Sequence, residues 1–250
     1  MFAVSLVELS VSDAGIATLT LKNEKKLNAL SIDFVDEIYS ALLNLEKKAK
    51  VLIVTGGERA FAAGVDIREI EKRNYEHAYT ESFIDKKWEA IWDVKIPVIA
   101  AVSGYALGAG FEICLMSDII IATRTAKFGF PEINLGLLPG MGGTQLLPRL
   151  VGTKIAMKLL LTADMISAEE ACELGIVANV VEPQNLLSEA HKLAEKIASK
   201  STMSTRLIKE LVRTSQNAVL STGMQIERNT FRSLFSTSFK EEGVRNFLKR

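Results

Sequence analysis

Two carboxylates and a glycine-rich turn stand close together in the middle of the chain. The run GYALGAG at 104–110 follows an apolar segment at 98–102 and precedes a helical pattern. Glycines let a backbone turn sharply and expose its N–H groups, and a helix N-terminus favours negative charge. Glu112 lies one turn into this helix, and Glu132 follows a proline in a loop-like stretch. Two acids beside a backbone anion site, in a chain with only two histidines, predict general acid–base chemistry on a carbonyl compound.

The overall composition argues against several other classes of function. The 250 residues are 48% hydrophobic, which is enough for one large core or a core with a small appendage. A formal net charge of zero argues against a general binder of nucleic acid or of membrane surfaces, so we expect neither partner. No apolar run approaches the roughly 20 residues of a membrane span.

The few cysteines and histidines indicate a reducing compartment and no metal. Cys114 and Cys172 lie in helical apolar patterns, which favours buried, reduced thiols and a cytoplasmic location. His77 and His191 lie among charged residues with no cysteine nearby, so we expect no metal site. Residues 1–13 lack a basic start and an Arg-rich amphipathic pattern, and we expect no secretory or transit peptide.

Apolar runs and turn signals predict an α/β core followed by helices. The predicted strands are 5–11, 16–21, 51–55, 98–102, 119–122 and 177–181, the first two forming a hairpin. The predicted helices are a segment capped by Ser31, residues 76–92 and 109–117, and, after Pro183, residues 185–199, 202–219, 221–235 and a last helix from 238. Ser167 with Glu170, and Ser238 with Glu241, have the spacing of capping boxes, and Gly175 fits a helix stop.

Four ordered motifs carry a family resemblance. They are FAAGVDI at 61–67, GYALGAGFE at 104–112, FGFPEINLG at 128–136 and PGMGGT at 139–144, with NAL at 28–30 as a further match. Together they resemble the enoyl-CoA hydratase (crotonase) family over nearly the whole chain. The resemblance implies an α/β fold with a core of repeated ββα units at 1–195 and a C-terminal helical region at 196–250 that completes homotrimers, commonly paired into homohexamers.

The resemblance also implies a reaction and a set of site residues. The family binds acyl-CoA thioesters, and a hydratase (a hydro-lyase of the fatty-acid β-oxidation type) adds water across the 2,3-double bond of a 2-enoyl-CoA to give 3-hydroxyacyl-CoA. Glu112 and Glu132 would handle the water, with the acid and the base left unassigned, and the backbone N–H groups of Val65 and Ala109 would hold the thioester oxygen. The motif positions that would contact the substrate or its CoA are Lys26, Leu27, Ala63, Gly64, Asp66, Ile67 and Gly108. No cofactor is expected, because coenzyme A is part of the substrate.

Some residues depart from the family pattern or allow another interpretation. Ala109 stands where the family usually has glycine, which would crowd the pocket with a methyl group, and Leu146 stands where arginine is common. Asp66 fits a helix cap better than a catalytic acid. Lys26 fits either a solvated charge or a contact with the phosphate or adenine end of CoA.

Three functional alternatives stay open on the sequence. An isomerase of the same fold would move the double bond with a single acid, so the presence of both Glu112 and Glu132 favours hydration. Dehydration of a hydroxyacyl-CoA is the same reaction reversed. A non-catalytic, RNA-binding relative is disfavoured because no long stripe of basic residues is present.

Overall fold

The computed structural model describes residues 5–249, so the first four residues of the segment considered for a targeting peptide lie outside it. In this range the chain forms two β-sheets surrounded by helices. The strands are β1 Val7–Val11, β2 Ile16–Leu21, β3 Val51–Thr55, β4 Ala60–Ala62, β5 Val98–Val102, β6 Tyr105–Leu107, β7 Ile119–Thr123, β8 Lys127–Gly129, β9 Ile166–Ser167 and β10 Asn179–Val181.

The larger sheet has the strand order β1-β2-β3-β5-β7-β10. The predicted hairpin is confirmed, because β1 pairs antiparallel with β2 and Gly15 turns between them with φ of 78°. The remaining neighbours pair in parallel. Every residue of β3 and β5 is buried, as expected for parallel strands covered on both faces.

Alternating residues of the central strands pack into different cores. Leu52 and Val54 belong to the main core, whereas Val51 and Ile53 belong to a second cluster on the opposite face. This separation follows from the two-residue repeat of a strand. The sheet therefore lies between two apolar layers.

The smaller sheet positions the candidate site. Its order is β4-β6-β8-β9, and the first three strands are parallel. Because the carboxyl ends of parallel strands meet at one edge, the segments after β4, β6 and β8 emerge together. These three segments carry Val65, Gly108 and Glu132, respectively.

Helices fill the space around both sheets. They are α1 Ile32–Leu42, α2 Ile67–Glu71, α3 Tyr75–Thr80, α4 Ala90–Asp93, α5 Ala109–Met116, α6 Gly143–Val151, α7 Thr153–Thr162, α8 Ala168–Glu173, α9 Leu186–Ala198, α10 Thr202–Thr214, α11 Leu220–Ser233 and α12 Ser238–Leu248, with short 3₁₀ turns at Glu24–Lys26, Leu45–Lys47, Pro131–Leu135, Pro183–Asn185 and Leu234–Ser236. None of the helices in the described range is long and apolar enough to cross a membrane. The predicted α/β fold with C-terminal helices is confirmed.

Helix ends follow the predicted capping chemistry with one exception. Ser31 caps α1 by accepting the Phe34 N–H at 3.3 Å. The capping box of Ser167 and Glu170 is present at the start of α8. The predicted box at Ser238 is wrong, because the preceding Thr237 is the cap of α12 and accepts the Lys240 N–H at 3.3 Å. Thr237 has the extended backbone of a cap residue, with φ of −94° and ψ of 141°, whereas Ser238 is already the first residue of the helix.

The single helix predicted at 76–92 is also wrong. The chain breaks after α3, where Ser82 and Ile84 have φ of 51° and 63°, and becomes helical again only at α4. Tertiary contacts override the helical pattern here. Arg73, which precedes α3, pairs at 2.8 Å with Glu81, which follows it, and the ring of Phe83 lies under the same guanidinium.

The C-terminal helices attach to the core in two ways. α9 covers the second face of the large sheet, and its apolar residues join the cluster of Val51 and Ile53. The domain boundary predicted at 195 lies within α9, and the division of the chain there stays a prediction. α10 is held by a buried ion pair of 2.6 Å between Lys209 and Asp118, and burial lowers the pKa of Lys209 to about 8, against the opposing effect of Asp118.

Candidate active site

A cavity of about 460 Å³ opens at the carboxyl edge of the small sheet. The loop after β4, the start of α5, the turn at Pro131–Leu135 and the segment containing α2 and α3 form its walls. Apolar side chains line most of it, and Glu112 and Glu132 both border it. The structure thus brings together the two carboxylates that the sequence singled out.

Glu112 is almost completely buried, and two backbone groups hold its carboxylate. Its Oε1 accepts the N–H of Met141 at 2.8 Å and the N–H of Gly143 at 2.7 Å. Burial raises the pKa of Glu112 above its ordinary value, and these two donors oppose that shift by stabilising the charged form. The backbone of the 139–143 turn therefore acts as the support of this acid.

Glycine lets the helix that carries Glu112 approach the small sheet. A Cβ on Gly110 would lie 2.1 Å from the carbonyl oxygen of Ala62 in β4, a distance that no side chain tolerates. The first turn of α5 can therefore pack directly on the sheet edge. Glu112 and the loop that begins at Ala63 border the same cavity.

Glu132 borders the same cavity with one oxygen free. It follows Pro131 at the start of a 3₁₀ turn, where proline's fixed φ is well suited. Its Oε2 is buried, and it has no hydrogen-bond partner among the described residues. Burial raises the pKa of Glu132 to about 7, and the charge of Glu112 adds to the shift, which the residue's own N–H opposes. A carboxyl group in this state can hold a proton near neutral pH.

Two backbone N–H groups predicted to bind an oxygen lie at adjacent points of this wall. A bridge to Leu30 engages the groups on either side of Val65, since Leu30 N donates to Gly64 O at 2.8 Å and Asp66 N donates to Leu30 O at 2.9 Å. Ala109 is the first residue of α5. Neither the N–H of Val65 nor that of Ala109 has an acceptor within the described part of the chain.

The backbone of Gly64 brings these two donors to the same place. A Cβ on Gly64 would lie 3.9 Å from the nitrogen of Ala109 and 3.2 Å from the carbonyl oxygen of Leu107. The loop after β4 therefore touches the start of α5. An oxyanion between the two loops would meet both N–H groups, at the positive end of the helix dipole.

The other predicted contact residues fall into two groups. Ala63, Gly64, Ile67 and Gly108 line the cavity. Leu27, Lys26 and Asp66 are not part of its lining but lie beside it. Leu27 accepts the Ala63 N–H at 3.0 Å, and Lys26 is 3.7 Å from Asp66.

Asp66 is a helix cap, as its sequence pattern favoured. It caps α2 by accepting the Arg68 N–H at 3.1 Å, and it also pairs with the Arg68 guanidinium at 2.7 Å. The Arg68 side-chain hydrogen bond is the largest cause holding the pKa of Asp66 at about 2. The carboxylate is therefore ionised and occupied rather than available for proton transfer.

Two expectations about unusual residues are resolved by packing. The methyl group of Ala109 does not crowd the cavity, because Ala109 is buried in the main core and only its backbone faces the loop after β4. Leu146 also lies away from the cavity, on α6, where it packs against the core.

Sequence reasoning missed two supporting residues. Asn28 is fully buried and donates from Nδ2 to the carbonyl oxygens of Ala60 and Phe61, at 3.1 and 3.0 Å, which fixes β4. The sequence signal for Asn28 was its place as the first residue of the NAL match at 28–30. Arg73 lines the cavity and pairs at 3.1 Å with Glu69. The only sequence signal for Arg73 is its position four residues after Glu69, and ordinary ion pairs on helix surfaces have the same spacing.

No cluster of metal-ligating side chains was found among the described residues. The chemistry available at this site consists of two carboxyl groups with unlike hydrogen bonding and a pair of backbone donors. Such a set can stabilise negative charge on a carbonyl oxygen while protons move at neighbouring atoms.

Comparisons with known proteins agree with this geometry. The family model "Enoyl-CoA hydratase/isomerase" matches residues 12–250. A Dictyostelium discoideum protein named "Probable enoyl-CoA hydratase, mitochondrial" is 44% identical over 237 residues, covering 94% of this chain and 85% of the relative. The "Crotonyl-CoA hydratase" of Syntrophomonas wolfei is 40% identical over 239 residues, covering 94% and 92%.

A solved structure extends the agreement to three dimensions. The enoyl-CoA hydratase subunit I of Geobacillus kaustophilus superposes with a TM-score of 0.93 at 42% identity, covering 98% of this chain and 95% of that one. Sequence motifs, family model and fold coincide over almost the entire length. The chain belongs to the enoyl-CoA hydratase/isomerase family.

Proposed function

We propose that this protein is an enoyl-CoA hydratase, which adds water across the 2,3-double bond of a 2-enoyl-CoA to give a 3-hydroxyacyl-CoA. One observation carries the proposal: Glu112 and Glu132 border one cavity beside two backbone N–H groups that have no acceptor among the described residues. The names of the relatives support the same activity. The reaction needs no cofactor beyond the CoA of the substrate.

The backbone donors of Val65 and Ala109 bind the thioester oxygen. Attack of water on C3 moves electrons onto this oxygen and produces an enolate-like anion. Fixed N–H groups stabilise that charge more than they stabilise the neutral carbonyl, and one such donor is worth about 10²–10³ in rate. The start of α5 adds its dipole to the effect.

Hydrogen bonding suggests how the two acids divide the proton transfers. Glu112 has two N–H donors on one oxygen, which favours its ionised form, so it acts as the base. Glu132 has a free oxygen and a pKa raised to about 7, so it acts as the acid. Water gives its oxygen to C3 and one proton to Glu112, and Glu132 gives a proton to C2. Return of a proton from Glu112 to Glu132 then restores the starting state.

Isomerisation of the double bond is the second candidate, because the matching family model names both reactions. An isomerase moves a proton between C2 and C4 and can do so with one acid. The presence of two acids favours hydration. Crotonyl-CoA and trans-3-hexenoyl-CoA distinguish the two. A hydratase removes the conjugated absorbance of the first, whereas an isomerase generates such absorbance from the second. No loss of absorbance with crotonyl-CoA would contradict the proposal.

The assembly that we propose is a homotrimer or a homohexamer. α11 packs on α10 and on the 3₁₀ turn at Leu234–Ser236, and α12 packs on the same turn. Both helices expose large apolar side chains to solvent in the single chain. Examples are Leu220, Phe231 and Phe247, which are 78%, 61% and 76% exposed. Clustered apolar exposure of this kind marks a protein interface.

We also propose that the protein acts in the cytoplasm. Both cysteines are free thiols, as expected in a reducing compartment. Cys114 is buried and its Sγ lies 3.3 Å from the carbonyl oxygen of Gly110. Neither thiol borders the catalytic cavity, so neither takes part in the proposed reaction.

A further inference from the structure

Ile84 lies in the wall of the catalytic cavity with a backbone conformation that β-branched residues rarely adopt. Its φ is 63°, in the left-handed region, and Ser82 nearby has φ of 51°. The Cβ of an L-residue clashes with the backbone in this region, and branching at Cβ makes the clash worse. Such strain persists only where the surrounding structure fixes it, and it concentrates at ligand sites.

The residue before Ile84, Phe83, is held in place by two contacts of its ring. The ring of Phe83 packs edge-on against Trp88, with centroids 5.7 Å apart, and the guanidinium of Arg73 lies 4.5 Å from the centre of the same ring. Arg73 is itself paired with Glu69 and Glu81. With its neighbour fixed in this way, Ile84 is turned towards the cavity.

The side chain of Ile84 reaches the opposite wall beside the catalytic acid. A Cβ on Gly140 would have the Cγ1 and Cγ2 atoms of Ile84 at 3.8 Å as its nearest neighbours. The next residue, Met141, donates its N–H to Glu112. Ile84 therefore bridges from the α3 side of the cavity to the turn that supports Glu112.

The position of Ile84 matters for a substrate bound as proposed. Glu112 lies one helical turn after Ala109, and the turn that contains Gly140 holds its carboxylate through the N–H of Met141. An acyl chain with its thioester oxygen at Ala109 and its C3 beside Glu112 would continue towards this turn. The only cation that borders this part of the cavity among the described residues, Arg73, already faces two carboxylates. The wall therefore favours an uncharged hydrocarbon chain.

We infer that Ile84 sets the length of the acyl chain that the enzyme accepts, and that its substrates are short-chain, uncharged 2-enoyl thioesters. The inference rests on the proposed hydratase function and names the substrate class of that site. A single methylene in an apolar pocket changes specificity by about 10–200-fold. Ile84→Ala removes three carbon atoms from the wall beside Gly140, so its effect should appear in the ratio of rates between chain lengths.

The test compares kcat/KM for crotonyl-CoA, trans-2-hexenoyl-CoA and trans-2-octenoyl-CoA. Ile84→Ala should raise the octenoyl-to-crotonyl ratio by about 10-fold or more, mainly by lowering KM for the longer chain. Ile84→Phe should lower the rate with hexenoyl-CoA and spare that with crotonyl-CoA. Ile155→Ala, which removes the same atoms outside the cavity, is the control and should leave the ratio near its wild-type value.

Further variants separate side-chain size from backbone strain. Ile84→Gly relieves the left-handed strain and opens the same space, so it should shift the ratio as Ile84→Ala does. A shift in the glycine variant alone, or an unchanged ratio in folded Ile84→Ala, would overturn the inference. If Ile84→Ala does not fold, Ile84→Val should give a smaller shift in the same direction, and no shift would again overturn it. Failure of the wild type to hydrate any of these thioesters would instead reject the proposed function.

Discussion

The carboxylate of Glu132 lies directly against the backbone of Gly108. A Cβ on Gly108 would be 2.5 Å from Oε1 of Glu132 and 3.2 Å from its carboxyl carbon. Gly108 also combines φ of 50° with ψ of −125°, a backbone conformation that glycine adopts far more readily than residues with a Cβ. The glycine just before the proposed oxyanion donor thus makes room for the proposed acid.

This contact predicts that Gly108→Ala displaces Glu132. Turnover of an enoyl-CoA should fall by about 10²-fold, the usual worth of a positioned acid. Gly152→Ala is the matched control, because Gly152 also has a positive φ, 79°, but nothing lies within 4 Å of its missing Cβ. It carries a similar backbone strain and should keep normal turnover. Equal losses in the two variants would show that backbone strain, not displacement of Glu132, explains the effect.

Glu132 should also make stability depend on pH. Its pKa is about 7 in the folded chain against an ordinary value of 4.5. Between these values the folded state holds a proton that the unfolded state has lost, so stability falls as pH rises. Glu132→Gln should remove this loss and be more stable than the wild type above pH 7, by about 1–3 kcal/mol.

The measurement is urea unfolding of the wild type and of Glu132→Gln at one fixed protein concentration, at several pH values between 4.5 and above 7. It gives the difference in unfolding free energy between the two proteins at each pH. The difference should grow with pH and then level off above the folded-state pKa. A constant difference across the window would contradict the assignment. Glu132→Gln should therefore gain stability and lose activity, as is common where an active site keeps a buried acid for its function.

The sequence predicted the elements that local chemistry determines. Val98–Val102 was predicted with its exact bounds, because its apolar run is uninterrupted and the glycine-rich turn ends it. The break at Ile84 could not be predicted in this way. It depends on Arg73 and Trp88, whose contacts with Phe83 form only in the folded chain. Propensity is a weak guide wherever such contacts compete with it.

The site was predicted through motifs, and its supporting contacts were not. The motifs located Glu112, but the N–H donors of Met141 and Gly143 that hold it come from a separate turn. Backbone groups leave no residue-type signature. The side chain of Ala109 was assigned to the pocket because position alone does not tell which way a residue at the start of a helix points.

The oxyanion donor at Ala109 can be tested apart from its side chain. Ala109→Gly keeps the N–H and loses only a buried methyl group, so it should stay active and lose about 1 kcal/mol of stability. Ala109→Pro removes the N–H at the first position of α5, where proline is tolerated best. If circular dichroism confirms its fold, its turnover should be lower by about 10²-fold or more. Normal turnover in a folded proline variant would mean that the thioester oxygen binds elsewhere.

The exposed apolar residues of the last helices predict self-association. Sedimentation at micromolar concentration should give a trimer or a hexamer. Replacing Phe239 and Phe247, which are 58% and 76% exposed, with glutamate should shift the protein to smaller species. Met157→Glu on α7 is the control, because Met157 is also 58% exposed and the change adds the same charge at an apolar surface position outside the last helices. A wild type that sediments only as a monomer would contradict the proposed assembly.

Turnover of crotonyl-CoA by Glu112→Gln and Glu132→Gln tests the central claim most directly. Each amide keeps the size of the side chain and removes its proton transfer. Both variants should turn over crotonyl-CoA about 10²-fold or more slowly than the wild type, while affinity for the product, 3-hydroxybutyryl-CoA, changes far less. Near-wild-type turnover in either folded variant would contradict the claim that these two carboxylates carry out the hydration.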